Sequence, residues 1–247
     1  MKASIILPTY NEAENILEMV RALFKYRPAN WDFQIIVVDD NSPDGTYQRV
    51  VSSFGSDSRV IPILRTQDRG LAQSLRAGIE RADGDRIIFM GSDFTHDPVE
   101  VPKLLHVSEV YDIAMGSRFA AGGNMEYLPH YLLSLVYNWF IRMILRTQIQ
   151  DNLGGYICIR RKALEMLPLE KIFYGYGEFA FRLLHYAQKR HLTIVEIPVY
   201  FRTRQKGSSK SHFFLLLFQY TLAAIRLKWD VLLHERNWQP ESDSVAN

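Results

Sequence analysis

The strongest constraint on this chain is a rhythm in its first half: short apolar runs stop on polar residues, and a stretch of helical period follows. Ala3 to Leu7 ends at Pro8-Thr9-Tyr10, Phe33 to Val38 at Asp39-Asp40, and Arg86 to Met90 at Gly91-Ser92-Asp93. Val60 to Leu64 and Tyr111 to Met115 are further runs, the second ending at Gly116-Ser117-Arg118. Runs of this length bounded by turn formers read as buried strands. Ile16, Met19, Val20 and Leu23 recur at helical spacing between the first two. Asn11, with Glu14 three residues on, predicts a capping box at the start of that helix. Tyr47 to Phe54 and Leu71 to Arg81 read as two more helices. Such alternation predicts an α/β fold, a Rossmann-type, mostly parallel sheet with helices on both faces and right-handed crossovers. Ligands of such sheets sit beyond the carboxyl ends of the strands, so Tyr10, Asp39, Asp40, Asp93 and Arg118 are expected to converge there.

The second half is more helical. Tyr131 to Leu145 and Gly177 to Lys189 read as helices, and Thr193 to Tyr200 as a strand. A basic loop, Arg202 to Lys210, then leads to a long helix over His212 to Leu233, apolar at its start and basic near Arg226 and Lys228. This divides the chain into a main domain over 1–210, an amphipathic interface helix over 211–236 and a frayed tail over 237–247. Composition narrows the class. Hydrophobic residues make up 47% of the 247, enough for a sizeable core. Lys and Arg total 29 against 27 for Asp and Glu, which argues against a dedicated nucleic-acid binder. The single cysteine, Cys158, excludes an intrachain disulfide and fits a reducing compartment. The run from Ala3 reads as a strand, not as a leader peptide. No uncharged apolar run is long enough to predict a membrane-spanning helix.

Several strand-end residues suit a nucleotide. The Tyr10 ring can stack on a base, while Glu12 and Asp39 can accept hydrogen bonds from base or ribose donors. The plainer alternative is a helix cap beside a buried tyrosine. Taken in order, Leu7-Pro8-Thr9-Tyr10-Asn11-Glu12, Val37 to Thr46 with its Asp39-Asp40-Asn41-Ser42-Pro43-Asp44-Gly45 core, Gly91-Ser92-Asp93-Phe94-Thr95-His96-Asp97-Pro98 and Gly116-Ser117-Arg118-Phe119 resemble glycosyltransferase family 2. Asp151-Asn152-Leu153-Gly154-Gly155-Tyr156, Glu196 to Phe201, and Arg204, Gly207, Ser209 and Lys210 extend the resemblance to the dolichol-phosphate mannosyltransferase branch.

The resemblance implies a GT-A-like fold and inverting transfer of a hexosyl unit from a nucleotide sugar, GDP-mannose or a UDP-hexose, to a polyprenyl or dolichyl phosphate. It implies a donor site of Pro8, Tyr10, Glu12, Asp39, Asp40 and Ser92, with Arg204 and Lys210 closing over the phosphates. Asp93 would hold a divalent metal, Mg2+ or Mn2+. The family's Asp-X-Asp pair has lost its first member here, because Gly91 stands there, so weaker metal binding is expected. Asp97 either joins that site or caps the helix begun by Pro98. Arg118 would grip phosphate through its planar fork. Under the family alignment, His130 stands where a second arginine belongs.

The acceptor decides whether a base is needed. A hydroxyl must lose a proton as it attacks, whereas a phosphate oxygen is already anionic. Asp151 and Glu178 are the candidate bases, so a sugar hydroxyl acceptor stays open, as does a non-catalytic nucleotide-sugar-binding protein. Glu178 also suits a plain helix N-terminal charge. The apolar start of the last helix, with Trp229 and Trp238 nearby, fits core packing, a homo-oligomer contact, or in-plane association with the cytoplasmic face of a membrane.

Overall fold

The computed structural model of the chain describes residues 1–202 and 213–234. The elements run β1 (Lys2–Thr9), α1 (Ile16–Lys25), β2 (Asp32–Asp39), α2 (Thr46–Phe54), β3 (Val60–Leu64), α3 (Leu71–Arg81) and β4 (Arg86–Phe89). After a 3-10 turn at Pro98–Glu100 come α4 (Val101–Ser108), β5 (Ile113–Ser117), β6 (Asn124–Met125), α5 (Leu128–Leu145) and β7 (Ile157–Arg160). Then follow α6 (Arg161–Glu165), α7 (Leu169–Ile172), α8 (Phe179–Lys189), β8 (Ile194–Pro198), β9 (Tyr200–Phe201) and α9 (Phe213–His234).

Seven strands form one sheet in the order β3-β2-β1-β4-β7-β5-β8, and β6 pairs with β9 in a small second sheet. Strands β1 to β4 pair in parallel, as do β5 and β8. Alternation along each strand feeds two cores. Ile5 and Leu7 of β1 face α1 and α4, among Met19, Leu23 and Leu104. Ile6 between them faces α3 and α8, among Leu75, Leu183 and Leu184. The expected mostly parallel sheet with helices on both faces is therefore present.

Strand β7 is the departure. It runs antiparallel between β4 and β5, with Cys158 opposite both Ile88 and Ala114. Its residues, Ile157 to Arg160, give no strand expectation by themselves, since the apolar run is only Ile-Cys-Ile. The insertion matters for function. An antiparallel strand enters the sheet at the edge where its parallel neighbours leave it. Residues 151–156 therefore arrive at the same carboxyl edge as Asp93 and Arg118.

The expected capping box at Asn11 is not made. Helix α1 starts at Ile16 with Asn15 before it and has no side-chain cap, while Asn11 is left-handed with φ 58°. Tertiary bonds outweigh the local preference here. The Asn11 amide donates to Ser42 Oγ (2.9 Å), Glu12 to Thr46 Oγ1 (2.9 Å) and Ala13 to Asp44 Oδ2 (3.0 Å). The segment after β1 is thus bound to the turn after β2.

Helix α9 packs on α5 and α8, burying Ala224 and Leu227 beside Ile141, Leu145 and Phe181. Tyr137 of α5 donates to the Leu217 carbonyl (2.9 Å). Part of the last helix is therefore core. No helix among the described residues is long and apolar enough to cross a membrane.

Candidate active site

Asp39, at the end of β2, is fully buried. Its Oδ1 accepts from the Ser42 amide (2.8 Å), and its Oδ2 from Ser42 Oγ (2.5 Å) and Thr9 Oγ1 (3.0 Å). Asp40 is held by Arg65 Nη1 (2.7 Å), Ser74 Oγ (2.7 Å) and the Gly70 amide (2.7 Å), and so braces the loop before α3. Glu12 is buried and accepts from Asn15 Nδ2 (2.8 Å). Tyr10 is exposed, with the Arg69 guanidinium 5.5 Å above its ring. Ser92 donates to the Pro8 carbonyl (3.1 Å), joining the ends of β1 and β4. The expected nucleoside residues thus lie along three adjacent strands, β2, β1 and β4. Arg65 and Arg69 are additions. Asp68-Arg69-Gly70 ahead of an apolar helix start was the available pointer.

Beyond β4 the backbone turns sharply. Phe94 is left-handed (φ 63°) and buried. Asp93 Oδ1 accepts from the Thr95 amide (3.2 Å) and Thr95 Oγ1 (2.6 Å). The Gly91 amide donates to His96 Nδ1 (2.9 Å). Asp97 resolves as a cap: its Oδ1 accepts from the Val99 amide (3.0 Å), and its Oδ2 pairs with Arg202 (2.9 Å). Asp93 is left as the carboxylate of this turn. Among the described residues no group of three or more His, Cys, Asp or Glu side chains could hold a metal alone. One carboxylate on an oxygen-lined turn fits a hard cation whose other ligands are diphosphate oxygens and water.

Arg118, at the end of β5, meets Asp151 in a buried two-pronged ion pair. Nε donates to Oδ2 (2.8 Å), Nη2 to Oδ1 (2.6 Å), and the Arg118 amide also reaches Oδ2 (3.1 Å). Burial opposes the guanidinium charge, but the Asp151 carboxylate outweighs it and holds Arg118 above its ordinary pKa. Arg118 also lies over the Phe119 and Phe201 rings, 5.2 Å from each, and its Nη1 approaches Ser134 Oγ of α5 (3.5 Å). Both Asp151 oxygens are thus engaged by one arginine. The carboxylate is poorly arranged to take a proton.

Glu178 precedes α8 and is buried. Its Oε2 accepts from the Tyr176 amide (2.7 Å), and the side chain makes no cap bond to the helix. Burial first, and the nearby Asp93 carboxylate second, raise the pKa of the Tyr176 phenol. The Glu178 loop therefore neighbours the Asp93 turn. His130 is exposed near the start of α5, its ring edge-on to Tyr127 (5.0 Å). Arg204 and Lys210, with Gly207 and Ser209, lie outside the described residues.

A model of the family described as glycosyl transferase family 2 matches residues 4–167. A dolichol-phosphate mannosyltransferase of Pyrococcus furiosus is 32% identical over 238 residues, covering 93% of this chain; the chain spans 65% of that protein's length. A polyprenol monophosphomannose synthase of Mycolicibacterium smegmatis is 32% identical over 213 residues, 83% of this chain and 79% of its own. Among solved structures, glucosyl-3-phosphoglycerate synthase from Mycobacterium tuberculosis with Mg2+ and uridine diphosphate superposes with a TM-score of 0.68 at 18% identity. That likeness covers 92% of this chain and 79% of the other, and it concerns the fold.

Proposed function

The chain belongs to glycosyltransferase family 2, and from that premise we propose that it transfers a hexosyl unit from a GDP- or UDP-sugar to a polyprenyl phosphate. Tyr10, Glu12 and Asp39 hold the nucleoside, with Pro8, Asp40 and Ser92 shaping the strand ends around it. Asp93 faces the diphosphate. A Mg2+ or Mn2+ ion held between Asp93 and the phosphates would offset charge on the leaving diphosphate. Arg118, its Nε and Nη2 held by Asp151, offers its Nη1 to the acceptor phosphate, and Arg204 and Lys210, outside the described residues, are assigned further phosphate contacts from the sequence. One acceptor oxygen forms a bond to the anomeric carbon as the bond to the nucleoside diphosphate breaks on the opposite face. The configuration inverts, and no proton has to be removed.

The observation that carries the lipid half is the continuity of Arg118 with an exposed apolar helix. Helix α5 reaches Arg118 through Ser134 and turns Leu128, Leu132, Leu135, Val136, Trp139 and Met143 outward, with Val136 66% and Trp139 60% exposed. A groove of about 300 Å³ beside it is lined by Phe119, Leu135, Val136, Trp139 and Arg142. Between Glu126 and Asp151 the sequence has no acidic residue. Such a face suits an anionic lipid surface, and α9 adds Phe218, Leu222, Ile225 and Trp229 on its own exposed side. The protein is accordingly read as peripheral on the cytoplasmic face of the membrane that holds its acceptor. A free buried cysteine, Cys158, is compatible with that reducing side.

One observation favours a second reading, transfer to a hydroxyl. Glu178 presents a buried carboxylate next to the Asp93 turn, where a base would be useful. Both readings are tested by incubating the chain with radiolabelled GDP- and UDP-sugars and vesicles containing polyprenyl phosphate. The lipid reading expects organic-soluble label released by mild acid. Acid-stable label on a sugar acceptor supports the hydroxyl reading, and donor binding without turnover supports a binding protein.

A further inference from the structure

Gly91 poses a physical problem at the centre of the site. It removes a carboxylate and also makes the backbone beside the remaining one more flexible. A single carboxylate binds a cation well only if it is already in place. A Cβ at position 91 would stand 3.2 Å from Asp93 Oδ1, 3.4 Å from Thr95 Oγ1 and 3.8 Å from His96 Nδ1, so the space is bounded by side chains of this one turn.

His96 is fixed on three sides. Its Nδ1 accepts the Gly91 amide (2.9 Å), closing residues 91–96 into a loop around Asp93. Its ring stacks on Tyr156 (4.8 Å, 5° between planes) and meets the edge of Phe201 (4.9 Å, 79°). Tyr156 is itself buried, with its hydroxyl on the Asp97 carbonyl (2.9 Å), so the stack is anchored at both ends of the turn. Phe201 lies under the Arg118 guanidinium. One imidazole therefore touches the mounting of both charged groups, Asp93 and Arg118. Burial pushes the His96 pKa down, against the pull of the nearby Asp93 carboxylate, in keeping with an Nδ1 that accepts the Gly91 amide.

We propose that His96 is a positioning residue that stands in for the lost carboxylate: it locks the Gly91–Asp93 turn so that Asp93 meets the cation on a nucleoside diphosphate already oriented. The inference rests on the donor-site reading given above. It predicts that metal affinity, more than nucleotide affinity, depends on the His96 acceptor.

The test is equilibrium binding of Mn2+ to the full chain with saturating GDP or UDP, followed by the spin resonance of free Mn2+. His96→Phe keeps the stack and removes the acceptor. It is expected to weaken Mn2+ binding at least about tenfold, leaving metal-free nucleotide binding within about twofold. His96→Asn, whose carbonyl can replace Nδ1, is expected to recover most of that loss. Unchanged Mn2+ affinity in His96→Phe, or equal losses in the Phe and Asn variants, overturns the proposal. So does a parallel loss of metal-free nucleotide binding. A wild-type chain that binds no Mn2+ with either nucleotide overturns the donor-site reading itself, and the His96 role falls with it. The nitrogen-15 spectrum of the wild-type imidazole needs no variant. An unprotonated Nδ1 and protonated Nε2 are expected, and the opposite tautomer contradicts the Gly91 bond.

Discussion

At the carboxyl edge of β2, β1 and β4 the polar side chains are buried and engaged, whereas α5 and α9 turn large apolar side chains to solvent. Asp39 holds three donors from Thr9 and Ser42, and Asp40 holds Arg65, Ser74 and Gly70. Leu132, Val136, Trp139 and Phe218 are more than half exposed. The first region is held in place by its own hydrogen bonds. The second is arranged as if another apolar phase completes it. Arg118 stands between them, fixed by Asp151 on one side and reaching Ser134 of α5 on the other. Under the function proposed above, the contrast is a division of labour: a hydrogen-bonded edge for the soluble donor, an open apolar face for the acceptor.

The boundary between the regions should be the most sensitive point. Asp151→Asn leaves the Arg118 charge buried without its partner and is expected to cost about 3–5 kcal/mol of stability. Thermal unfolding should show a drop on the order of 10 °C, with transfer lost as well. An unchanged midpoint would mean that Arg118 finds water readily and that the boundary is softer than its geometry. Within the rigid region, Asp93→Asn is expected to lower turnover about a hundredfold while leaving the melting midpoint nearly unchanged. Equal activity in the variant would remove the metal from the donor site. On the open face, Leu132→Ser combined with Trp139→Ser should weaken binding to anionic vesicles about tenfold, with donor affinity unaltered. If vesicle binding holds but the oligomeric state changes, the face meets a second copy of the chain.

The smallest effect belongs to the sheet. Burial pushes the Cys158 thiol up to about 12, above its unfolded value, so the folded chain retains that proton. Its stabilising contribution is present below about pH 9 and is lost as pH rises from there towards 12. Cys158→Ala should therefore lose less stability than the wild type on that alkaline limb, as measured by denaturant titration at stepped pH. The native thiol should also resist alkylation near neutral pH.

Much of the rigid region was legible in the sequence, because a strand that stops on a polar residue announces both itself and its edge. Asp39, Asp93 and Arg118 stand at or just beyond strand ends as that pattern implies. What stayed hidden depends on contacts between distant segments. Strand β7 is only a short apolar run after Gly154-Gly155-Tyr156, and its antiparallel insertion follows from pairing with β4 and β5. The same insertion brings Asp151 to Arg118, 33 residues away, so a candidate base became an ion-pair partner. Asn11 has the residue type and spacing of a helix cap, but its amide is bound to Ser42 of a distant turn. His96 and Phe201 fall within motifs of the resemblance, but their contact stayed hidden, because stacking across the sheet edge leaves no periodic trace. On the open face the resemblance implied a lipid acceptor, while the outward turn of the apolar α5 side chains was not legible from their spacing.

Under the proposed transfer the acceptor arrives already anionic, so that the site positions it and does not deprotonate it. Turnover of Glu178→Gln on polyprenyl phosphate, with folding checked by its melting midpoint, tests this most directly. A rate within about twofold of wild type is expected, since only positioning is required. A loss of about a hundredfold or more in a fully folded variant would make Glu178 a working base and contradict the account.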